Sequence, residues 1–213
     1  MINITTFQLR PAIDNIIFQT LQVSQINDYY KEMESHNLVN QEKYKEKISE
    51  IIQKNDDDLD ADSCLTLKNY YENKLDYYNS HSQFLRRTTF LEIYFSFENF
   101  MNIKCELYKE LNNLNINFKA QGITKAQQFL SKHFSMNEPF NSAAWNQILL
   151  YNRTRNVIAH HQSKVTRLDD HSIKRLNGLN TEHTFSNGFS FTLDKNFVPT
   201  FIETIDAFLD KLN

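Results

Sequence analysis

The sequence predicts an all-α protein: an antiparallel bundle of long helices, with one small β-hairpin near the C-terminus. Three observations predict it. Residues 12–121 contain neither glycine nor proline, the two strongest helix breakers. Apolar residues recur through that tract at spacings of three and four, the period of a helix with one buried face. The one stretch with β character is short and late, Phe185-Ser186-Asn187-Gly188-Phe189-Ser190-Phe191-Thr192-Leu193.

The elements follow in chain order. Residues 12–35 carry a first helical stripe (Ile13, Ile16, Ile17, Leu21, Ile26), and residues 38–54 a second (Tyr44, Ile48, Ile51, Ile52). The run from Asn55 to Ser63 predicts a break, because clustered Asp and Asn side chains compete for backbone hydrogen bonds. A long helical tract then reaches about Leu114, with an interruption expected near Asn79-Ser80-His81-Ser82. Gly122 ends that tract, and Thr124 reads as the N-cap of a short helix through Phe134. Pro139 and Asn141-Ser142 open the next helix, with Ser142 or Asn141 as its cap.

Gly178 closes a basic stretch that follows. In the hairpin, a two-residue Asn-Gly turn would set Phe185 on the face opposite Phe189 and Phe191. A three-residue loop with a bulge at Gly188 places all of them on one face and is preferred. Pro199 falls in the first turn of a final helix striped by Phe201, Ile202, Ile205, Phe208, Leu209 and Leu212.

Composition narrows the function. The 213 residues suffice for one generous core, or a core plus an appendage. No apolar run approaches the roughly 18–20 residues of a membrane-spanning helix, and the N-terminus has no basic region followed by an apolar stretch. No membrane partner and a cytoplasmic location are expected. Cys64 and Cys105 form no CxxC pair, so neither a disulfide framework nor a thiolate zinc site is indicated. With three glycines in the whole chain, there is no phosphate-binding loop, dinucleotide fingerprint or nucleophile elbow, and no cofactor is expected. A calcium loop beginning at Asp58 would put Ser63 where glycine is needed and Asn69 where glutamate is needed, so no metal is expected there.

A net charge of −3 argues against a protein that coats nucleic acid by charge alone. The distribution is uneven. Acids crowd residues 42–62, whereas Arg153, Arg155, Lys164, Arg167, Lys174 and Arg175 are opposed locally only by Asp169 and Asp170. A positive patch on a mildly acidic protein fits binding at one place.

That patch contains Arg155-Asn156-Val157-Ile158-Ala159-His160, at the end of a stripe running Trp145, Ile148, Leu149, Asn152, Asn156, Ala159. Polar groups near a core need partners. Asn156 and His160 are four apart and share a helix face, while Arg155 lies about 140° round from His160 at roughly 100° per residue. Arg offers phosphate a planar fork of donors, and imidazole titrates near neutral pH. An earlier helix supplies Glu98, inside a sector of Phe84, Thr88, Leu91, Phe95, Asn102 and Cys105, where a carboxylate is costly unless it meets a cation. Arg155 and His160 are its natural partners. As alternatives, Arg155 and His160 serve a helix C-terminus through its dipole and carbonyls, and Glu98 serves as an internal salt bridge. Arg153, His161 and Lys164 read as phosphate contacts or as a solvated basic face.

Arg155-Asn156-x-x-x-His160, at the end of a long helix and with an acidic residue in an earlier one, resembles the signature of the HEPN superfamily. The resemblance covers roughly residues 65–165 and departs from the pattern in the doubled histidine, His161, and in a long N-terminal helical extension. It implies an extension over residues 1–62, a HEPN-like bundle over 63–176, and a hairpin with a C-terminal helix over 177–213. It also implies a metal-independent ribonuclease, a toxin or antiviral effector, working as a homodimer on RNA, with an antitoxin or regulatory protein as a further partner. Arg155, Asn156, His160 and Glu98 would be the catalytic set. A non-catalytic module binding nucleotide, RNA or protein through the same groove is the alternative. The acidic 42–62 stretch would suit a mask over the basic groove.

Overall fold

The computed structural model describes residues 23–53, 61–114, 122–161, 163–165, 168–183 and 188–212. Within them the chain forms α1 (Ser24–Gln53), α2 (Ala61–Leu111), α3 (Gly122–Phe134), α4 (Ala143–His161) and α5 (Phe197–Leu209). Strands β1 (Lys164–Val165), β2 (Leu179–His183) and β3 (Phe189–Leu193) form one small sheet. The all-α prediction with a minor β element near the C-terminus is what the chain adopts.

α1 and α2 pack antiparallel. Glu34 meets Arg86, Asn37 meets His81, Gln41 meets Ser82, and Tyr44 stacks on Tyr78, so positions rise along α1 as they fall along α2. The buried residues of α1 are Tyr30, Glu34, Asn37 and Gln41, a seam that is largely polar. Two expectations fail here, for one reason. No turn separates residues 35 and 38, and no interruption occurs at 79–82; both regions are continuous helix. Polar residues of both regions find partners across the seam: Asn37 Oδ1 and His81 Nδ1 lie 3.2 Å apart, and Ser82 Oγ accepts from Gln41 Nε2 at 3.0 Å. A side chain with a tertiary partner no longer competes for its own backbone. The Asn55–Ser63 break falls largely on residues 54–60, outside the described residues, and the stretch begun at Asp58 is helix from Ala61 through Asn69.

At one end of this pair, Arg86 donates through Nε to Glu34 Oε1 (3.0 Å) and through Nη1 to the Leu193 carbonyl (2.6 Å). Gln83 closes both backbone groups of Leu193, donating to its carbonyl (2.7 Å) and accepting from its amide (3.0 Å). Tyr30 donates to the Lys195 carbonyl (3.2 Å). The last strand is therefore bolted to the N-terminal helix pair by side chains.

The apolar core lies where α2, α4 and α5 meet. Phe90, Tyr94 and Phe97 of α2 enclose Tyr151 and Trp145 of α4 with Phe197, Phe201 and Phe208 of α5, in a mixture of edge-to-face and tilted contacts. α4 and α5 run antiparallel: Tyr151 contacts Phe197 and Phe201, and Trp145 contacts Phe208. The final stripe of Phe201, Ile202, Ile205, Phe208, Leu209 and Leu212 is buried throughout, as its period predicts. Ser142 caps α4, its Oγ accepting the Trp145 amide at 3.1 Å. Thr124 is not the cap of α3, which begins at Gly122, where φ of +62° makes the turn.

The hairpin is longer than expected, and a third strand joins it. β3 lies between β1 and β2, antiparallel to both, with His183 opposite Phe189 and Lys164 opposite Ser190. The expected three-residue loop before Phe189 falls largely on residues 184–187, which with Phe185 lie outside the described residues. Phe189, Phe191 and Leu193 share the buried face. β2 (Leu-Asn-Thr-Glu-His) was illegible because its middle residues are exposed and polar, and β1 is too short to carry a period.

Candidate functional site

The site forms where the middle of α2 passes the last turns of α4. Core packing sets the register: Phe90 lies against Tyr151 (6.0 Å between ring centroids), and one turn on the Tyr94 hydroxyl donates to Asn152 Oδ1 at 2.9 Å. One further turn brings Glu98 to Arg155, with Oε2 and Nη2 3.5 Å apart and both side chains 22% exposed. Arg155 Nη1 donates to Asn156 Oδ1 at 2.8 Å. The guanidinium also lies 5.4 Å from the ring of Tyr94 and 4.8 Å from that of Phe95, which gives it cation–π stabilisation on two sides. Its Nε is buried and has no hydrogen-bond partner.

Arg155 is thus held by a carboxylate, an amide and two rings, and its fork keeps donor capacity for an anion. Burial is the main cause that drives the Tyr94 phenol far above its ordinary value, and the negative charge of Glu98 adds to it. Tyr94 stays neutral and acts as a donor.

Asn156 and His160 are exposed on the same face of α4, one turn apart. The buried face of the helix is Trp145, Ile148, Tyr151, Thr154 and Val157, so the expected stripe through Asn156 and Ala159 is displaced. The displacement matters chemically, because it puts the amide and the imidazole in solvent. Asn156 links the half-buried Arg155 to the face that carries His160. Past His161 the chain turns back sharply: Ser163 has φ of +65° and donates its amide to the Val157 carbonyl at 3.4 Å.

The expected sector of α2 is also shifted. Phe84 (65% exposed) and Phe95 (44%) lie on the surface, and the core face runs through Phe90, Ile93, Tyr94, Phe97 and Met101. Glu98 sits at the margin of that core, within reach of both Arg155 and solvent. Of the predicted set, Glu98, Arg155 and Asn156 are joined by direct contacts, and His160 follows on the same helix. Arg153 is exposed and turned to Ser172, whose Oγ it contacts at 2.8 Å, outside this cluster. The side chains of His161 and Lys164 lie outside the described residues.

The sequence reading missed three contributors. Tyr94, from the core, and Phe95, from the surface, flank the guanidinium. Gly122 is the third: a Cβ there would come within 3.1 Å of Glu98 Oε1, so the α3 backbone walls the carboxylate in. Its signal was available, since Gly122 is the first glycine in the chain. Among the described residues no group of His, Cys, Asp and Glu is placed to hold a metal ion, and both Cys64 and Cys105 are free.

No protein-family model, curated protein or solved structure matches this chain. The chemistry of the site is therefore read from its own residues: a cation with spare donors, an amide bonded to it, and an imidazole one turn further on. Such a set can hold an anion and exchange a proton beside it.

Proposed function

We propose that this chain is a metal-independent endoribonuclease of the HEPN type, cleaving RNA by attack of the 2′-hydroxyl on the adjacent phosphorus. The observation that carries the reading is the Glu98–Arg155–Asn156 chain of contacts, on two helices, beside the exposed His160. Arg155 binds the scissile phosphate and offsets the charge that grows on it. His160 moves the proton, taking it from the 2′-oxygen or giving it to the leaving 5′-oxygen. Asn156 orients Arg155, and Glu98 anchors it. The P–O5′ bond breaks as the P–O2′ bond forms, leaving a 2′,3′-cyclic phosphate and a 5′-hydroxyl. DNA, which lacks the nucleophile, resists.

In this reading the enzyme acts in the cytoplasm as a homodimer and serves as a toxin or antiviral effector restrained by an antitoxin or regulatory protein. No described helix is long and apolar enough to cross a membrane. The test is cleavage of RNA by purified protein in EDTA, comparing wild type with His160→Ala and Arg155→Ala. Loss of cleavage in both variants, with cyclic-phosphate ends from the wild type, is expected. Equal cleavage by all three would overturn the proposal, as would a wild type that cleaves nothing.

A second reading draws on the enclosure of Arg155, whose charge already faces a carboxylate and two rings. A non-catalytic module would use the same groove to bind nucleotide, RNA or protein. It gives binding without product, and His160→Ala then changes affinity alone.

A further inference from the structure

Arg87 is a half-buried guanidinium that the site described above does not use. Its Nη2 reaches the Phe191 carbonyl only at 3.5 Å, its Nε is buried with no hydrogen-bond partner, and no ion pair holds it among the described residues. Burial alone lowers its pKa, with no carboxylate opposing that effect. A cation kept partly out of water without a counter-charge is costly, and a structural role would be served by a neutral side chain.

Its position suggests the missing anion. At about 100° per residue, Phe84, Arg87, Thr88, Leu91, Phe95 and Glu98 share one sector of α2 about 100° wide. Arg87 and Glu98 lie on the same edge of that sector, eleven residues or about 16 Å apart along the axis. Between and beside them the surface is aromatic and open, with Phe84 65% and Phe95 44% exposed. Phe95 is itself the ring under Arg155. The sheet brings the end of α4 to the same place: the Phe191 carbonyl accepts from Arg87, and the Phe191 amide donates to the Ser163 carbonyl at 3.1 Å, just past His160 and His161.

We propose that this sector of α2 is a track for single-stranded RNA leading into the Arg155 site. Arg87 holds a phosphate a few nucleotides from the scissile one, and Phe84 and Phe95 stack unpaired bases. The inference rests on the ribonuclease reading and names its substrate class. Two guanidiniums with one exposed ring between them and a second just beyond Arg87 match a flexible strand, whose backbone is anionic and whose bases present π faces. A duplex hides those faces.

The test uses the full-length chain carrying His160→Ala and a fluorescent oligouridylate of about eight nucleotides, titrated by anisotropy over a salt series. Arg87→Gln is expected to weaken binding roughly tenfold and to reduce the salt slope of log K by about 0.7, the loss of one phosphate contact on a single strand. Phe84→Ala, at a surface position where folding is not at risk, is expected to weaken binding about tenfold with the slope unchanged. A duplex of the same length should bind more weakly than the single strand.

Unchanged affinity and slope in Arg87→Gln and Phe84→Ala, or equal binding of duplex, overturns the track while cleavage by the wild type leaves the ribonuclease reading standing. A wild type that neither binds nor cleaves RNA overturns both. Sedimentation of Phe84→Ala covers the remaining occupant: loss of a dimer with RNA affinity intact would assign this face to a second copy of the chain and sink the proposal.

Discussion

Glu98 and Arg155, 57 residues apart in sequence, meet with Oε2 and Nη2 3.5 Å apart, and the Gly122 backbone closes over the same carboxylate. The pair is reached by solvent on one side, so as an ion pair it contributes only about 0.5–1 kcal/mol to stability. Its larger effect is positional. Glu98→Gln should lower the unfolding free energy by no more than that amount in urea titrations. It should lower RNA cleavage by about tenfold or more, because an unanchored guanidinium loses its fixed aim. Equal percentage losses of stability and cleavage would show the pair to be structural.

Gly122→Ala attacks the same geometry from the backbone. Alanine at φ of +62° is strained by about 1–2 kcal/mol, and its methyl group would press on Glu98 Oε1. A lower melting temperature and a cleavage defect are expected together. Glu98→Asp, one methylene shorter, should restore part of the activity in the double variant.

The Arg86–Glu34 pair is buried, unlike the one at the site. Arg86→Met leaves a buried carboxylate unpaired and removes the bond to the Leu193 carbonyl, and should cost about 3–5 kcal/mol in chemical denaturation. Replacing Glu34 with leucine in the same chain should recover most of that loss, since the penalty is mainly the orphaned charge.

Alkaline pH should destabilise the fold in a defined window. Burial pushes the Tyr151 phenol up from its ordinary 10.0 to about 12, and the Cys105 thiol from 9.0 to about 12. The folded state therefore keeps protons that the unfolded chain releases. Stability is intact below about pH 9 and falls as pH climbs toward about 12, Tyr151 alone accounting for about 2–3 kcal/mol. Urea midpoints measured across that range should decline, and Tyr151→Phe should flatten the decline. By the same argument the Cys105 thiol should resist a thiol reagent at neutral pH until the chain unfolds.

Ser142→Ala removes the acceptor of the Trp145 amide and should cost about 1 kcal/mol by urea titration. The motif lies at the far end of α4, so cleavage should be unaffected at temperatures where the variant stays folded.

Local periodicity and capping chemistry were enough to read helices along most of the described residues, the α4 cap and the buried stripe of α5, because these depend on residues near one another in sequence. The partnership of Glu98 with Arg155 was legible too, since a carboxylate near an aromatic sector demands a cation. Only the tertiary structure decided which polar residues break helices and which pair, as Gln41 and Ser82 do. It also decided that Phe84 and Phe95 face solvent while Asn156 and His160 leave the core. The physical reason is that one helix face is apolar by sequence, but the neighbour it packs against, and the rotation at which it packs, come from contacts distant in the chain.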